Sequence, residues 1–222
     1  MIARGGHYEP IAREAFHYMI PLALCALAFW WFEFPVTSLV FLFAAAAVAL
    51  FFRNPSRTPP RTGEGLIISP ADGRVVEVVE DARSDNLPHT PLKRMSIFMS
   101  VFNVHVNRSP VSGTVRSKTY SSGVFHDARK KAASSDNERN SLVIEGDHGA
   151  MEVVQVAGKV ARRISCWVAE GDPVRQGERF GLIHFGSRLD VYVPLPFSFV
   201  VPVGTRVRAG ITVIAEKAKE QG

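Results

Sequence analysis

Cysteine is scarce in this chain, with two residues in 222, Cys25 and Cys166. Neither has a metal-ligating partner at a usual spacing, and Cys25 lies inside an apolar run. A disulfide framework therefore does not organise the fold, and a reducing compartment is compatible. A dense block of Lys and Arg is also missing. Lys+Arg number 26 against 21 Asp+Glu, giving a net charge of +5 and a pI near 9.5. So diffuse an excess suits an anionic membrane surface or an anionic substrate better than nucleic acid, and no nucleic-acid partner is expected. No His, Cys and carboxylate set has metal-ligand spacing, so no metal is expected. Long amphipathic helices are lacking after Phe52, which leaves strands to build most of the chain.

Two long apolar runs open the sequence. Residues 1–14 form a polar tail with Arg4 and Arg13. Phe16 to Phe32 and Val36 to Phe52 then carry almost no charge, and Glu33-Phe34-Pro35 separates them. Each run is near the lower limit for spanning a bilayer, about 17–25 residues. Pro35 and Glu33 argue against one continuous helix. The pattern predicts a helical hairpin over 15–52 that spans or re-enters a membrane, with Trp30 and Trp31 at the interface. The alternative is a buried hairpin of a soluble protein. Arg4 and Arg13 before the hairpin, and Arg53, Arg57 and Arg61 after it, place both ends on the cytoplasmic side of a cell (inner) membrane. Residues 53–65 read as a basic, proline-rich linker.

From Leu66 to Gly222 the chain reads as one mainly β domain, a compact sandwich or barrel with lipoyl-like hairpins. Apolar, strand-like stretches include Arg74–Val79, Arg94–Val106, Gly113–Tyr120, Ser141–Glu145 and Met151–Val156. Ser69-Pro-Ala-Asp-Gly-Arg-Val75 and Ser109-Pro-Val-Ser-Gly-Thr-Val115 share the pattern Ser-Pro-x-x-Gly-x-Val, which suggests two similar turns related by pseudo-symmetry. Ser121 to Asn140 is polar and basic, as lids and binding loops often are.

The chemistry gathers in three places. Asp72 stands at the first Ser-Pro turn. His105 ends the long apolar strand expected over Arg94–Val106. Ser187 follows Gly186 between two apolar runs, in Phe180–Val193. An acid, a histidine and a serine are the parts needed to orient a base and activate a hydroxyl. Each also has a plain structural explanation. Asp72 is a common turn residue, and His105 would share a strand face with Ile97, Met99 and Val101 as a core histidine.

Taken together, Ser69-Pro-Ala-Asp-Gly, Asn103-Val-His-Val-Asn-Arg-Ser-Pro and His184-Phe-Gly-Ser-Arg resemble the phosphatidylserine decarboxylase proenzymes, in their short, membrane-anchored bacterial form. The resemblance covers about residues 50–215. It implies that the Gly186–Ser187 bond breaks itself, with His105 as base and Asp72 holding His105. Ser187 then becomes a pyruvoyl group, the Schiff-base centre for the amine of phosphatidylserine, and phosphatidylethanolamine is the product. The two cut chains would stay associated, and a homo-oligomer is left open. Where some relatives have Leu-Gly-Ser-Thr, this chain has Phe185-Gly-Ser-Arg188. Arg188 is therefore a candidate for the substrate's phosphate or carboxylate, with His184, Asn103 and His126 as further candidates. Two readings compete: a membrane-tethered, non-catalytic binding module on lipoyl-like hairpins, and a serine hydrolase using Asp72, His105 and Ser187.

Overall fold

The structure is a computed structural model that describes residues 8–59, 65–123, 137–158, 163–184 and 187–218. Most of the expected Ser121–Asn140 loop lies outside the described residues, as do Gly186 and His126. Among the described residues, 8–56 form one compact unit and those from 57 onward another.

The first unit is a helical hairpin. Helix α1 covers Phe16–Trp31 and α2 covers Pro35–Phe51. Pro35 opens α2, where its missing N–H is no loss. Glu33 takes φ +64° in the reversal, and Phe34 N–H donates to Phe29 O at 2.9 Å. The helices are joined by Ser38 Oγ donating to Ala26 O at 2.8 Å and by the stacked rings of Phe29 and Phe41. Leu24, Leu27, Val40 and Phe43 face outward, as do Trp30 and Trp31 at the reversal. Among the described residues one helical run, Arg13–Trp31, is long and apolar enough to cross a membrane by length and composition; Pro35–Phe51 is shorter.

The second unit is mainly β. Its strands in chain order are β1 Leu66–Ile68, β2 Gly73–Ala82, β3 Leu92–Met99, β4 Val106–Arg108, β5 Gly113–Ser121, β6 Arg139–Gly146 and β7 Gly149–Ala157. There follow β8 Ile164–Cys166, β9 Pro173–Val174, β10 Arg179–Ile183, β11 Ser187–Pro194, β12 Phe197–Phe199, β13 Arg206–Val207 and β14 Val213–Lys217. Eight of them form a sheet in the order β13-β2-β3-β11-β7-β6-β5-β9. Two three-stranded sheets, β4-β10-β8 and β1-β14-β12, complete the domain. The period of two decides what is buried. Val75, Ile97, Leu189, Val191, Val193, Val153 and Leu142 enter one core with Ile67, Phe180 and Ile214 from the smaller sheets. Each such side chain contributes roughly 1.5–3 kcal/mol on burial.

The expected Arg94–Val106 strand is two strands. It breaks after Met99 because Asn103 Oδ1 accepts hydrogen bonds from Ser100 N–H at 2.9 Å and Ser100 Oγ at 2.8 Å. That side chain offers the backbone a turn in place of a ladder. His105 therefore does not continue the face of Ile97 and Met99; it leads into β4, in a different sheet.

The repeated Ser-Pro-x-x-Gly-x-Val pattern is structural. Ser69 Oγ donates to Ala71 O at 2.7 Å, and Ser109 Oγ to Val111 O at 2.6 Å. A Cβ on Gly73 would stand 2.2 Å from Phe98 O, and one on Gly113 would stand 2.2 Å from Glu145 O, so only glycine fits either position. The copies interlock reciprocally: Arg108 N–H donates to Pro70 O and Ile68 N–H to Pro110 O. Each is backed by a second repeat, Gly171-Asp-Pro-Val-Arg-Gln-Gly177 and Gly204-Thr-Arg-Val-Arg-Ala-Gly210. Gly177 N–H donates to Ser109 O and Gly210 N–H to Ser69 O, both at 2.8 Å. This pseudo-two-fold arrangement brings the Asp72 turn beside the segment that carries His105.

Candidate active site

Ser187 begins β11, which is paired on both sides. Ser187 faces Met99 of β3 and Ala157 of β7. Alternation turns its side chain inward with Leu189 and Val191, and it is fully buried. Its hydroxyl donates to Met99 Sδ at 3.5 Å. A thioether is a weak acceptor, so this hydroxyl surrenders little on moving to a stronger one.

His105 is also fully buried. Its Nδ1 lies 3.0 Å from Asn103 O. A carbonyl only accepts, so Nδ1 carries the proton and Nε2 is left as the acceptor nitrogen. The Ser100–Asn103 turn thus supplies what a carboxylate supplies to many catalytic histidines. The backbone of His105 meets the strand leading to the Gly-Ser bond, with Ile183 N–H pointing at His105 O at 3.4 Å.

Asp72 does not hold His105. Arg57 grips its carboxylate through both terminal nitrogens, Nη2 at 2.9 Å from Oδ2, and Ala209 N–H donates to Oδ1 at 2.8 Å. The symmetric position is Ser112, whose Oγ accepts Gln176 N–H at 2.9 Å. The two side chains lock equivalent turns. Asp72 reaches the His105 segment indirectly, because the turn it fixes offers Pro70 O to Arg108 N–H at 2.9 Å. The surroundings are cationic. Burial, with Arg179 and Arg57 nearby, brings the Arg108 guanidinium down to about 10.

The remaining expected residues divide. Arg188 is buried and gives Nε and Nη2 to the two oxygens of Asp190, each at 2.9 Å, across one step of the strand. Its fork is engaged inside the sheet. His184 is buried, with Nε2 3.4 Å from Ser165 Oγ and its N–H on Arg163 O. Asn103 shapes the turn under His105. Among the described residues no group of three or more His, Cys, Asp or Glu could hold a metal ion.

Other residues at the site carried no signal in the sequence. Asn140 Nδ2 donates to Gln155 Oε1, and Gln155 Nε2 to Asn107 Oδ1, both at 2.9 Å. Asn107 Nδ2 then points at Met99 Sδ at 3.8 Å, the same sulfur that takes the Ser187 hydroxyl. All of these side chains are buried. Asn107 stands two residues from His105 in the motif and could have been suspected. Gln155 and Met99 sit in apolar strands that read as ordinary core.

The family model for phosphatidylserine decarboxylase matches residues 44–215. The chain belongs to that family and is a decarboxylase of phospholipid biosynthesis.

Proposed function

We propose that this decarboxylase makes its own prosthetic group by cutting itself between Gly186 and Ser187. The observation that carries the reading is Ser187 itself, fully buried at the head of a central strand with its hydroxyl on a thioether. A nucleophile sheltered from water and from strong acceptors suits attack on its own backbone.

His105 Nε2 takes the Ser187 hydroxyl proton, and Oγ bonds to the Gly186 carbonyl carbon. The Gly186–Ser187 C–N bond breaks, the proton passes to the freed amine, and the amide has become an ester. Loss of the Ser187 Cα proton then breaks the Cβ–O bond and releases Gly186 as a carboxylate. Water displaces ammonia from the dehydroalanine left at position 187, giving a pyruvoyl end. Asp72 acts as a positioning residue through its turn.

The buried, strand-fixed position of residue 187 fits such a group, and β3 and β7 on either side would hold it. A pyruvoyl carbonyl there supplies an electrophile for a primary amine and an electron sink for loss of CO2. Phosphatidylserine is the lipid that brings both amine and carboxylate, and His105 would return a proton. The second chain, Ser187 to Gly222, stays attached because β11 is bonded along its length to β3 and β7, and β14 to β1. The apolar hairpin anchors the enzyme in the cell membrane, with the flanking Arg13 and Arg53 on the cytoplasmic side.

Intact mass of the purified protein tests this. Two chains are expected, the smaller starting at residue 187 and gaining mass with hydroxylamine. Ser187→Ala and His105→Ala should each run as one chain with an unchanged circular dichroism spectrum. A single active polypeptide, as a serine hydrolase would be, or an unmodified serine at the new N-terminus, would refute the reading.

A further inference from the structure

Arg206 and Arg74 stand directly opposite each other where the edge strand β13 pairs with β2. Both are exposed, and neither has an ion-pair partner among the described residues. Exposed Arg208 follows on the same segment. Like charges directly opposite on a sheet destabilise it. No ion pair among the described residues offsets that repulsion.

The pseudo-symmetry supplies an internal control. The equivalent pair joins β9 to β5, under the same backbone demands and beside the same kind of glycine turn. There the opposed residues are Thr114 and Pro173. The architecture is therefore satisfied without cations, and proline alone protects the corresponding edge from pairing. The opposed arginine pair belongs to one half only, the half nearer Ser187, whereas Arg208 has a counterpart in the exposed Arg175 of the other half. Arg74 lies opposite Phe98, and Phe98 opposite Arg188, one residue from Ser187. At ordinary strand spacing β2 is about 10 Å from β11.

Apolar side chains flank the cations. Val203, at the tip of the turn before β13, is 57% exposed, and Val76, two residues after Arg74, is also exposed. Gly204 N–H on Val75 O and Val75 N–H on Thr205 O fix that turn against β2. Guanidinium groups with no ion pair among the described residues, beside protruding valines, match a surface of phosphates above hydrocarbon.

We infer that the β13–β2 edge, with Arg74, Arg206, Arg208, Val76 and Val203, is a docking surface for an anionic phospholipid leaflet. It would hold the β domain against the bilayer that contains the substrate. The choice of lipid as occupant rests on the decarboxylase reading; the charge argument does not.

The test uses the full chain in which Val203→Cys carries an environment-sensitive dye and Cys25 and Cys166 are replaced by serine. It is reconstituted into vesicles of phosphatidylcholine, or of phosphatidylcholine with a third phosphatidylglycerol. A blue shift of emission is expected in the anionic vesicles only. It should be reversed by high salt and lost in the Arg74→Gln/Arg206→Gln double variant. Equal emission in both vesicles at low salt, or a shift that survives in the double variant, overturns the proposal and leaves the arginines as edge protection. The same shift produced by inorganic phosphate with neutral vesicles overturns the lipid as occupant. Self-cleavage is read separately by mass, so an uncut chain that still shifts would sink the proposed function and not the docking surface.

Discussion

Gln155 Nε2 donates to Asn107 Oδ1 at 2.9 Å, and both side chains are fully buried. That bond sets the orientation of the Asn107 amide. With its oxygen turned to Gln155, its NH2 group faces Met99 Sδ at 3.8 Å, the sulfur that also takes the Ser187 hydroxyl. A row of amides thus leads from β6 through β7 and β4 to the bond proposed to break.

Replacing Asn107 with leucine leaves the Gln155 N–H buried without an acceptor. The expected loss is about 1–3 kcal/mol, read as a lowered denaturant midpoint in detergent, with slower appearance of the small fragment. A stability unchanged from wild type would show that the amide row is dispensable.

Asp190→Asn removes the carboxylate charge that the buried Arg188 Nε and Nη2 engage. Removing one partner of a buried pair costs about 3–5 kcal/mol. The double variant Arg188→Met/Asp190→Leu should recover most of it, because two apolar side chains need no pairing. If the double variant is as unstable as the single one, the pair has a role beyond mutual neutralisation.

Gly181→Ala places a methyl 2.5 Å from Ser165 O and 3.0 Å from Gln155 Nε2. Strand β10 must then move away from β8. Overpacking of this kind costs about 1–3 kcal/mol, and β10 leads directly into the Gly-Ser bond. Full-length chain should accumulate on a denaturing gel; cleavage at the wild-type rate would show that β10 tolerates the shift.

Burial raises the Tyr192 phenol above its usual value, Arg94 opposes this, and Asp190 adds to it. The folded state therefore holds the proton more tightly than the unfolded chain. The associated stability is full below the unfolded value near 10 and is lost as pH rises through the raised folded value. Tyr192→Phe should lessen the loss of thermal stability above about pH 10. Identical alkaline melting of the two proteins would count against it.

Much was legible from local pattern. The two helices, their break at Glu33 to Pro35, and the β character after Leu66 follow from runs and alternation that any packing must respect. The Ser-Pro-x-x-Gly-x-Val repeat was readable because each residue acts within its own turn. The length of the strand leading to His105 was misjudged, since Asn103 competes with the ladder through a side-chain bond that periodicity does not register. The link between Asp72 and His105 was also misjudged. Arg57 lies in a segment that reads as a linker, and nothing local says that it folds onto the Asp72 carboxylate.

By itself the sequence determined the helical hairpin, the β domain and the three motifs, because period, turn chemistry and residue order are properties of neighbours along the chain. Tertiary structure alone decided that Ser187 is buried on a thioether, that a backbone carbonyl sets the His105 tautomer, and that Arg74 faces Arg206. Those facts depend on strand register, which joins residues up to 150 positions apart, as Leu66 and Glu216 are, and register is fixed only when the sheets close on their common core.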